Sequence, residues 1–145
     1  MSENQNTIVV HGETSSLEQQ ITVGPHQLTA DEAVPAGGTD RGPNPYDLLC
    51  AALGACTSMT LALYARRKQF SLKAVTVRLR HSKIHAEDCK TCETKIGILD
   101  RIEREIQLEG DLNNEQRQAL LNIANKCPVH KTLTSEIRID ERLVD

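Results

Sequence analysis

The sequence predicts an α+β fold, with antiparallel strands in runs and helices separated from them. The first forty residues contain short alternating runs divided by glycine and proline, which is typical of β-hairpins. The segment from Leu48 to Ala65 then carries no charged side chain over 18 positions, which indicates a long buried helix. A length of 145 residues and a hydrophobic fraction of 39% suit a single domain over residues 1–145, of which we expect 1–6 to be flexible.

The first half of the chain is predicted to form three short strands and then the long helix. A loop from Pro35 to Asn44 is too rich in glycine and proline for a regular element. The helix starts after it, because Asn44 can cap, Pro45 suits the first helical position and Asp47 adds a carboxylate to the first turn. We expect this helix to end at about Arg67. The predicted strands are Thr7–His11, Gln19–Gly24 and Gln27–Ala30.

The second half is predicted to form two strands, two helices and a last strand. Val75, Val77 and Leu79 alternate with polar residues, as in a half-buried strand. Pro128 disfavours helical geometry at the residue before it, which divides the helices. In order, we predict a strand at Ala74–Arg80, a polar connection at 82–97, a strand through Ile102, Ile106 and Leu108 that stops at Gly110, a helix from Asn113 or Asn114 to Lys126, a short helix from Pro128, and a strand at Glu136–Ile139.

Composition and charge exclude several classes of function. The net charge is −3 with a pI near 6.0, which argues against a nucleic-acid surface. The aromatic residues Tyr46, Tyr64 and Phe70 are too few for base stacking. Residues 1–40 hold six acidic side chains and no Lys or Arg, so a cation needed for chemistry must come from Arg41 onward. The motifs of P-loops, dinucleotide folds, serine hydrolases and zincins are missing from the sequence.

The uncharged helix raises the question of a membrane. At about 1.5 Å per residue it would measure roughly 27 Å, just short of a bilayer core. Its many small and polar residues favour the core helix of a protein without membrane contact. The first residues lack the pattern of a secretory signal, so we expect a cytoplasmic protein. In that reducing compartment cysteines are usually buried, metal-bound or reactive rather than structural cross-links, so each of the five is a candidate for chemistry.

Cys127 stands directly before Pro128, where it would cap the short helix. Free backbone N–H groups and the helix dipole stabilise a thiolate at that position, and Lys126 and His130 add positive charge. The alternative is a buried cysteine at a helix break.

Cys56 lies in the middle of the long helix. A thiol there is usually a small buried hydrophobe, and its activation would need a cation or hydrogen-bond donors from elsewhere. Together with Cys127 it suggests a peroxidatic pair, in which one thiolate becomes a sulfenic acid and the second condenses with it to a disulfide. The two are 71 residues apart, so only the fold can bring them together.

A second cysteine pair, Cys89 and Cys92, has C-x-x-C spacing and follows His81 and His85. Three alternatives stay open for it: an inert thiol pair, a metal site and a redox dithiol. If the segment is extended, the two histidines lie about 13 Å apart and cannot both bind one metal. These four residues are therefore weak candidates for a metal site.

Arg41 is the candidate cation, because it lies in the loop that leads into the Cys56 helix. Asp47 could orient it through an ion pair, or could simply satisfy backbone donors at the start of the helix.

Two stretches resemble a known family, the OsmC/Ohr superfamily (osmotically inducible protein C and organic hydroperoxide resistance proteins). They are GGTDRGPNPYDLL with LGACTSMTL around Cys56, and CPVH from Cys127. The chain looks most like the branch that also occurs fused to α/β-hydrolases. The resemblance implies an intertwined homodimer with a long buried central helix. It also implies reduction of organic hydroperoxides by a peroxidatic Cys56 and a resolving Cys127, without a cofactor, and regeneration by a dithiol such as a lipoylated protein.

Two departures from the family pattern concern activation of the thiolate. The family's arginine on an N-terminal strand has no counterpart in residues 1–40, and its glutamate after the helix-start proline is Tyr46 here, with Asp47 one step later. The resemblance gives no role to Cys50. The alternative function is a non-catalytic protein of this fold that binds a ligand or a metal, or senses redox state. Cys89, Cys92 and one histidine would then matter more than Cys56.

Overall fold

The computed structural model describes residues 7–145, so the expectation for residues 1–6 lies outside it. The fold is α+β with two antiparallel sheets and a long helix, as predicted. The chain divides into two compact units, one ending at Leu49 and one from Cys50 to Asp145, and the single domain stays a prediction. The elements are β1 (Ile8–His11), β2 (Gln19–Val23), β3 (His26–Ala30), α1 (Pro45–Lys68), β4 (Ser71–His85), β5 (Ile98–Asp111), α2 (Asn114–Ala124) and α3 (Pro128–Leu133), with single 3₁₀ turns at Val34–Ala36 and Ala86–Asp88.

In the first unit, β1, β2 and β3 form an antiparallel meander in that order. Ile21 is the central apolar position, since it pairs with Val10 on one side and Leu28 on the other. The turn between β2 and β3 is made by Gly24, whose φ of 56° most other residues avoid.

The loop after β3 is organised around the buried carboxylate of Asp31, which is 2% exposed. One oxygen accepts the Glu32 N–H at 2.7 Å. The other accepts the Thr39 hydroxyl at 2.8 Å, the Thr39 N–H at 3.2 Å and the Arg41 N–H at 3.1 Å. These bonds lower the pKa of Asp31, that from the Thr39 hydroxyl most of all, and they outweigh burial.

Helix α1 begins as predicted. The Asp47 N–H donates to Asn44 Oδ1 at 2.8 Å, and the Asn44 N–H donates to Asp47 Oδ2 at 3.1 Å. This reciprocal pair is a capping box, with Pro45 at the first helical position. The helix ends at Lys68, one residue beyond the predicted end.

In the second unit, β4 and β5 form a long two-stranded ribbon. It is paired from Ser71 with Asp111 to His85 with Ile98, with an irregularity between Leu72 and Ala74. Helix α1 packs closely on β4, because a Cβ at Gly54 would come within 2.7 Å of Leu79 Cδ1. The absence of a side chain at Gly54 therefore sets the approach of the Cys56 segment to the ribbon.

The core of the second unit joins α1 to α2. Leu61, Ala65, Leu120 and Ala124 are buried there, and partly buried apolar side chains of the ribbon pack against them. Helix α2 starts with a capping box in which Asn113 and Gln116 bond reciprocally.

Helix α1 buries one face and leaves the other exposed. Buried residues recur every three or four positions: Cys50, Leu53, Gly54, Thr57, Leu61 and Ala65. On the opposite face Met59 and Leu63 are 65% and 57% exposed. By length and composition α1 is also the one helix of residues 7–145 that could cross a membrane, a test that core helices of soluble proteins pass as well.

The structure corrects three predictions. Residues 136–139 form no strand, because within residues 7–145 no strand pairs with them to satisfy their backbone groups. Strands β4 and β5 extend well beyond the predicted segments, since each continues as long as the other pairs with it. The loop predicted over 35–44 also includes part of a 3₁₀ turn.

Candidate functional site

Cys127 caps α3 with its sulfur. It has extended backbone angles, and its Sγ accepts the His130 N–H at 3.3 Å. The sulfur is fully buried, at 0% exposure of the residue. The Lys126-Cys127-Pro128 segment folds this way because proline supplies the first helical residue and needs no N–H partner.

Cys56 reaches the same turn of α3 from helix α1. Its half-buried Sγ accepts the Val129 N–H at 3.5 Å. The Cys56 side chain is also one of the groups that lower the pKa of Cys127. The fold thus brings together two thiols that are 71 residues apart.

Thr57 lies beside both sulfurs and is fully buried. Its hydroxyl donates to the Leu53 carbonyl at 2.7 Å and lies 3.9 Å from Cys127 Sγ. Its oxygen accepts a bond from Arg104 Nη1 at 3.0 Å. The hydroxyl therefore connects the thiol pair to a guanidinium.

Arg104 is the cation of the site, and sequence reasoning missed it. From β5 its Nη2 also contacts Asn125 Oδ1 at 3.2 Å and His130 Nδ1 at 3.3 Å. A signal was present, because Arg104 has the same parity as Ile102 and Ile106 and so faces the apolar side of its strand. A charge at such a position needs a partner inside the fold.

The surroundings lower the pKa of Cys127. Burial raises the pKa of this thiol, but the bond from the His130 N–H, the adjacent side chains of Cys56 and Thr57, and the charge of Arg104 together outweigh it. Burial and Arg104 also lower the pKa of His130, so its ring is neutral near pH 7 and accepts the Arg104 N–H at Nδ1. The arrangement can hold one negative charge on the thiol pair.

A cavity of about 350 Å³ opens next to these groups. Arg104 and His130 line it on the side of the thiols. Leu53, Ile102 and Leu133 give it apolar walls, and Asp100 and Thr134 add polar groups. It has room for a small, largely apolar molecule.

Arg41 and Asp47 belong to the first unit and have other partners there. Arg41 Nε lies 3.8 Å from Glu18 Oε2, and its backbone N–H holds Asp31. Asp47 is engaged in the capping box with Asn44. Their role in activating a thiol stays a prediction.

The second cysteine pair forms a disulfide between Cys89 and Cys92, with Cα atoms 5.6 Å apart. His81 Nε2 lies 2.8 Å from Asp100 Oδ1, which also accepts from Lys83 Nζ at 2.7 Å. These two bonds, that from Lys83 first, lower the pKa of Asp100. His85 is exposed at the end of β4. In residues 7–145 no three His, Cys, Asp or Glu side chains are grouped to hold a metal.

Comparison with known proteins identifies the family. The model of the OsmC-like protein family matches residues 38–142, whereas the curated protein sequences contain no match. Among solved structures, the organic hydroperoxide resistance protein OsmC of Legionella pneumophila superposes with a TM-score of 0.68 at 20% identity, covering 92% of each chain. OhrB of Bacillus subtilis, an organic hydroperoxide resistance protein, gives 0.63 at 22% identity over 92% of this chain and 93% of its own.

An OsmC-like protein of Mycoplasma pneumoniae gives a TM-score of 0.70 at 18% identity, covering 91% of this chain and 89% of its own. At these identities the likeness is one of fold. The match of the family model over most of the sequence, together with this shared fold, shows that the chain belongs to the OsmC-like protein family.

Proposed function

We propose that this protein is a thiol peroxidase that reduces organic hydroperoxides, with Cys56 as the peroxidatic and Cys127 as the resolving cysteine. The observation that carries the proposal is the meeting of two free thiols at the start of α3, beside the guanidinium of Arg104. Membership of the OsmC-like family and the names of the Legionella and Bacillus neighbours support the same substrate class.

The different exposure of the two sulfurs supports this division of roles. Cys56 is half-buried, so a hydroperoxide can reach it, whereas Cys127 is fully buried. Cys127 has the lowered pKa, and the Cys56 side chain is one of the groups that lower it. Cys127 therefore acts first as the base that takes the Cys56 proton, and later as the second nucleophile.

The chemical steps balance with this pair and one proton from the solvent. The Cys56 thiolate attacks the distal oxygen of the hydroperoxide, an S–O bond forms, the O–O bond breaks, and the leaving alkoxide takes the proton that Cys127 received and becomes the alcohol. The Cys127 thiolate then attacks the Cys56 sulfenic sulfur, an S–S bond forms, the S–O bond breaks, and the leaving hydroxide takes a proton from the solvent to become water. The pair ends as a disulfide, which a dithiol of a class such as lipoylated proteins returns to two thiols.

The cavity favours an apolar hydroperoxide over hydrogen peroxide. Three aliphatic side chains form its walls next to Arg104, and an alkyl or aryl group buried there would stabilise binding in proportion to its apolar area. The exposed apolar face of α1, with Met59 and Leu63, supports a homodimer in which a second copy covers it.

Anaerobic oxidation tests the proposal. The protein is reduced, freed of reductant, mixed with one equivalent of cumene hydroperoxide and mapped by mass spectrometry. We expect a Cys56–Cys127 disulfide as the first product in the wild type and in Cys50→Ser, the matched control at another cysteine of the same helix. Cys127→Ser should stop at a sulfenic acid on Cys56 that dimedone traps, and Cys56→Ser should not react. A wild type with all five cysteines still reduced after minutes of exposure would refute the assignment.

A further inference from the structure

The Cys89–Cys92 disulfide lies at the end of the β4–β5 ribbon, away from the thiol pair. The last cross-strand pair is His85 with Ile98, and a single 3₁₀ turn follows it. Backbone bonds already close this end, from the Ala86 N–H to the Gly97 carbonyl at 2.8 Å and from the Cys89 N–H to the Ala86 carbonyl at 3.1 Å.

This disulfide stabilises the fold less than one that closes a long loop would. It closes a loop of only four residues, so it removes less conformational freedom from the unfolded chain. The ribbon is held by its own ladder, which is paired without the disulfide from Ser71 to His85. A cross-link with so small a structural role is more readily explained by its chemistry.

The pair is placed for exchange with another thiol. Cys89 and Cys92 are both half-buried, in contrast to the fully buried Cys127, and the residues around them are exposed. Their Cα atoms are 5.6 Å apart, within the usual range for a disulfide, so the C-x-x-C pair can cycle between dithiol and disulfide.

We propose that Cys89 and Cys92 form a second redox site, an exchangeable dithiol that returns electrons to the Cys56–Cys127 disulfide. The inference rests on the proposed peroxidase function. One thiolate of the pair attacks Cys56 Sγ, the Cys56–Cys127 bond breaks, and Cys127 leaves as a thiolate. The other thiolate of the pair attacks the mixed disulfide and releases Cys56. Two thiols are oxidised to one disulfide and one disulfide is reduced to two thiols.

The geometry of the thiol pair determines the direction of this attack. Of the two sulfurs in the Cys56–Cys127 disulfide, that of Cys56 is the accessible one, because Cys127 is fully buried. Cys127 is the better leaving group, since the His130 N–H at 3.3 Å and the nearby Arg104 stabilise its thiolate.

The length of the ribbon places the donor on another copy of the chain. Arg104 adjoins the thiol pair and pairs with Leu79, whereas the ribbon ends at Ile98. Six residues of strand measure about 20 Å. A rigid ribbon therefore keeps Cys89 and Cys92 away from their own Cys56, and the exchange joins two copies.

Counting hydroperoxide equivalents tests the relay. Each protein is fully reduced, freed of reductant under anaerobic conditions and titrated with cumene hydroperoxide, while peptide mapping follows each disulfide. We expect the wild type to consume two equivalents per chain and to form both disulfides. The double variant Cys89→Ser/Cys92→Ser should consume one equivalent at an unchanged first-turnover rate. Because hydroperoxide reduction is irreversible, it drives the thiol–disulfide exchange to completion even where the exchange equilibrium is unfavourable.

Each other result overturns the relay in a recognisable way. If the wild type consumes one equivalent and Cys89 and Cys92 stay reduced, the relay is refuted and the peroxidase function is still supported. Oxidation of Cys89 and Cys92 at the wild-type rate in Cys56→Ser shows direct oxidation and also removes it. No consumption by any variant removes the peroxidase function itself. Circular dichroism of the double variant, and the single variant Cys92→Ser, separate these outcomes from a failure to fold.

Discussion

Replacing Arg104 with methionine removes the guanidinium beside the thiols and keeps a long side chain. Arg104 Nη1 lies 3.0 Å from Thr57 Oγ1, which lies 3.9 Å from Cys127 Sγ. The charge is therefore within about 7 Å of the sulfur. At that distance Coulomb's law gives about 2.4 kcal/mol for an effective dielectric of about 20 and about 0.6 kcal/mol in water.

An intermediate value of about 1.4 kcal/mol corresponds to about one pKa unit. Arg104 is one of the groups that keep the pKa of Cys127 low, so the variant should have a higher Cys127 pKa. The Cys127 thiolate exists above that pKa, so the rate at which Cys127 attacks the Cys56 sulfenic acid should rise with pH about one unit higher than in the wild type. Below that rise, formation of the Cys56–Cys127 disulfide after oxidation by cumene hydroperoxide should slow about tenfold.

Stopped-flow measurement of the rate of disulfide formation against pH, with thiolate absorbance followed in parallel, checks this. Arg104→Lys keeps a positive charge and should restore part of the shift. Arg101→Met is the matched control, because Arg101 is an exposed residue of the same strand that pairs with Glu103. Superimposable pH profiles for Arg104→Met and the wild type would refute the electrostatic role of Arg104.

Three further substitutions test the fold. Leu61→Ala should lower the free energy of unfolding by about 3 kcal/mol in urea denaturation, because Leu61 is fully buried in the core; a loss below about 1 kcal/mol would contradict this packing. Asn113→Ala should cost about 1 kcal/mol by removing a capping box, and an unchanged urea midpoint would contradict that role. Asp31 has a lowered pKa, so its carboxylate contributes stability above the unfolded pKa of about 3.9 that is lost as pH falls through the lower folded value. Asp31→Asn should flatten this acid limb of stability measured against pH, and an unchanged limb would contradict it.

Local sequence patterns predicted most of the regular elements. The Asn44-Pro45-Asp47 signal placed the start of α1, and the Cys127-Pro128 pair placed the start of α3. Both succeed because capping depends on residues within one turn of each other. The strand predicted at Glu136–Ile139 is wrong, because alternation shows what a strand could bury but not whether a partner strand exists.

Local sequence patterns predicted only part of the candidate site. Local chemistry singled out Cys56 and Cys127 as candidates, and their roles stay predictions. The cation was sought in Arg41, at the loop before α1, whereas Arg104 of β5 is the guanidinium that lies beside the thiols in the second unit. The alternation of β5 indicated that Arg104 faces inward, but the sequence did not show which residues surround it.

The sequence by itself determined where the helices begin, which faces of helices and strands are apolar, and which cysteines have reactive local settings, because these depend on near neighbours and on periodicity. Only the tertiary structure decided that Cys56 and Cys127 share one turn of α3, that Thr57 joins them to Arg104, and that Cys89 and Cys92 are bonded at the ribbon end. Cys56 and Thr57 lie on α1, Cys127 caps α3 and Arg104 lies on β5, so the distances between them follow from how the ribbon and the helices pack. Such packing depends on the whole chain, so no single segment of the sequence predicts it.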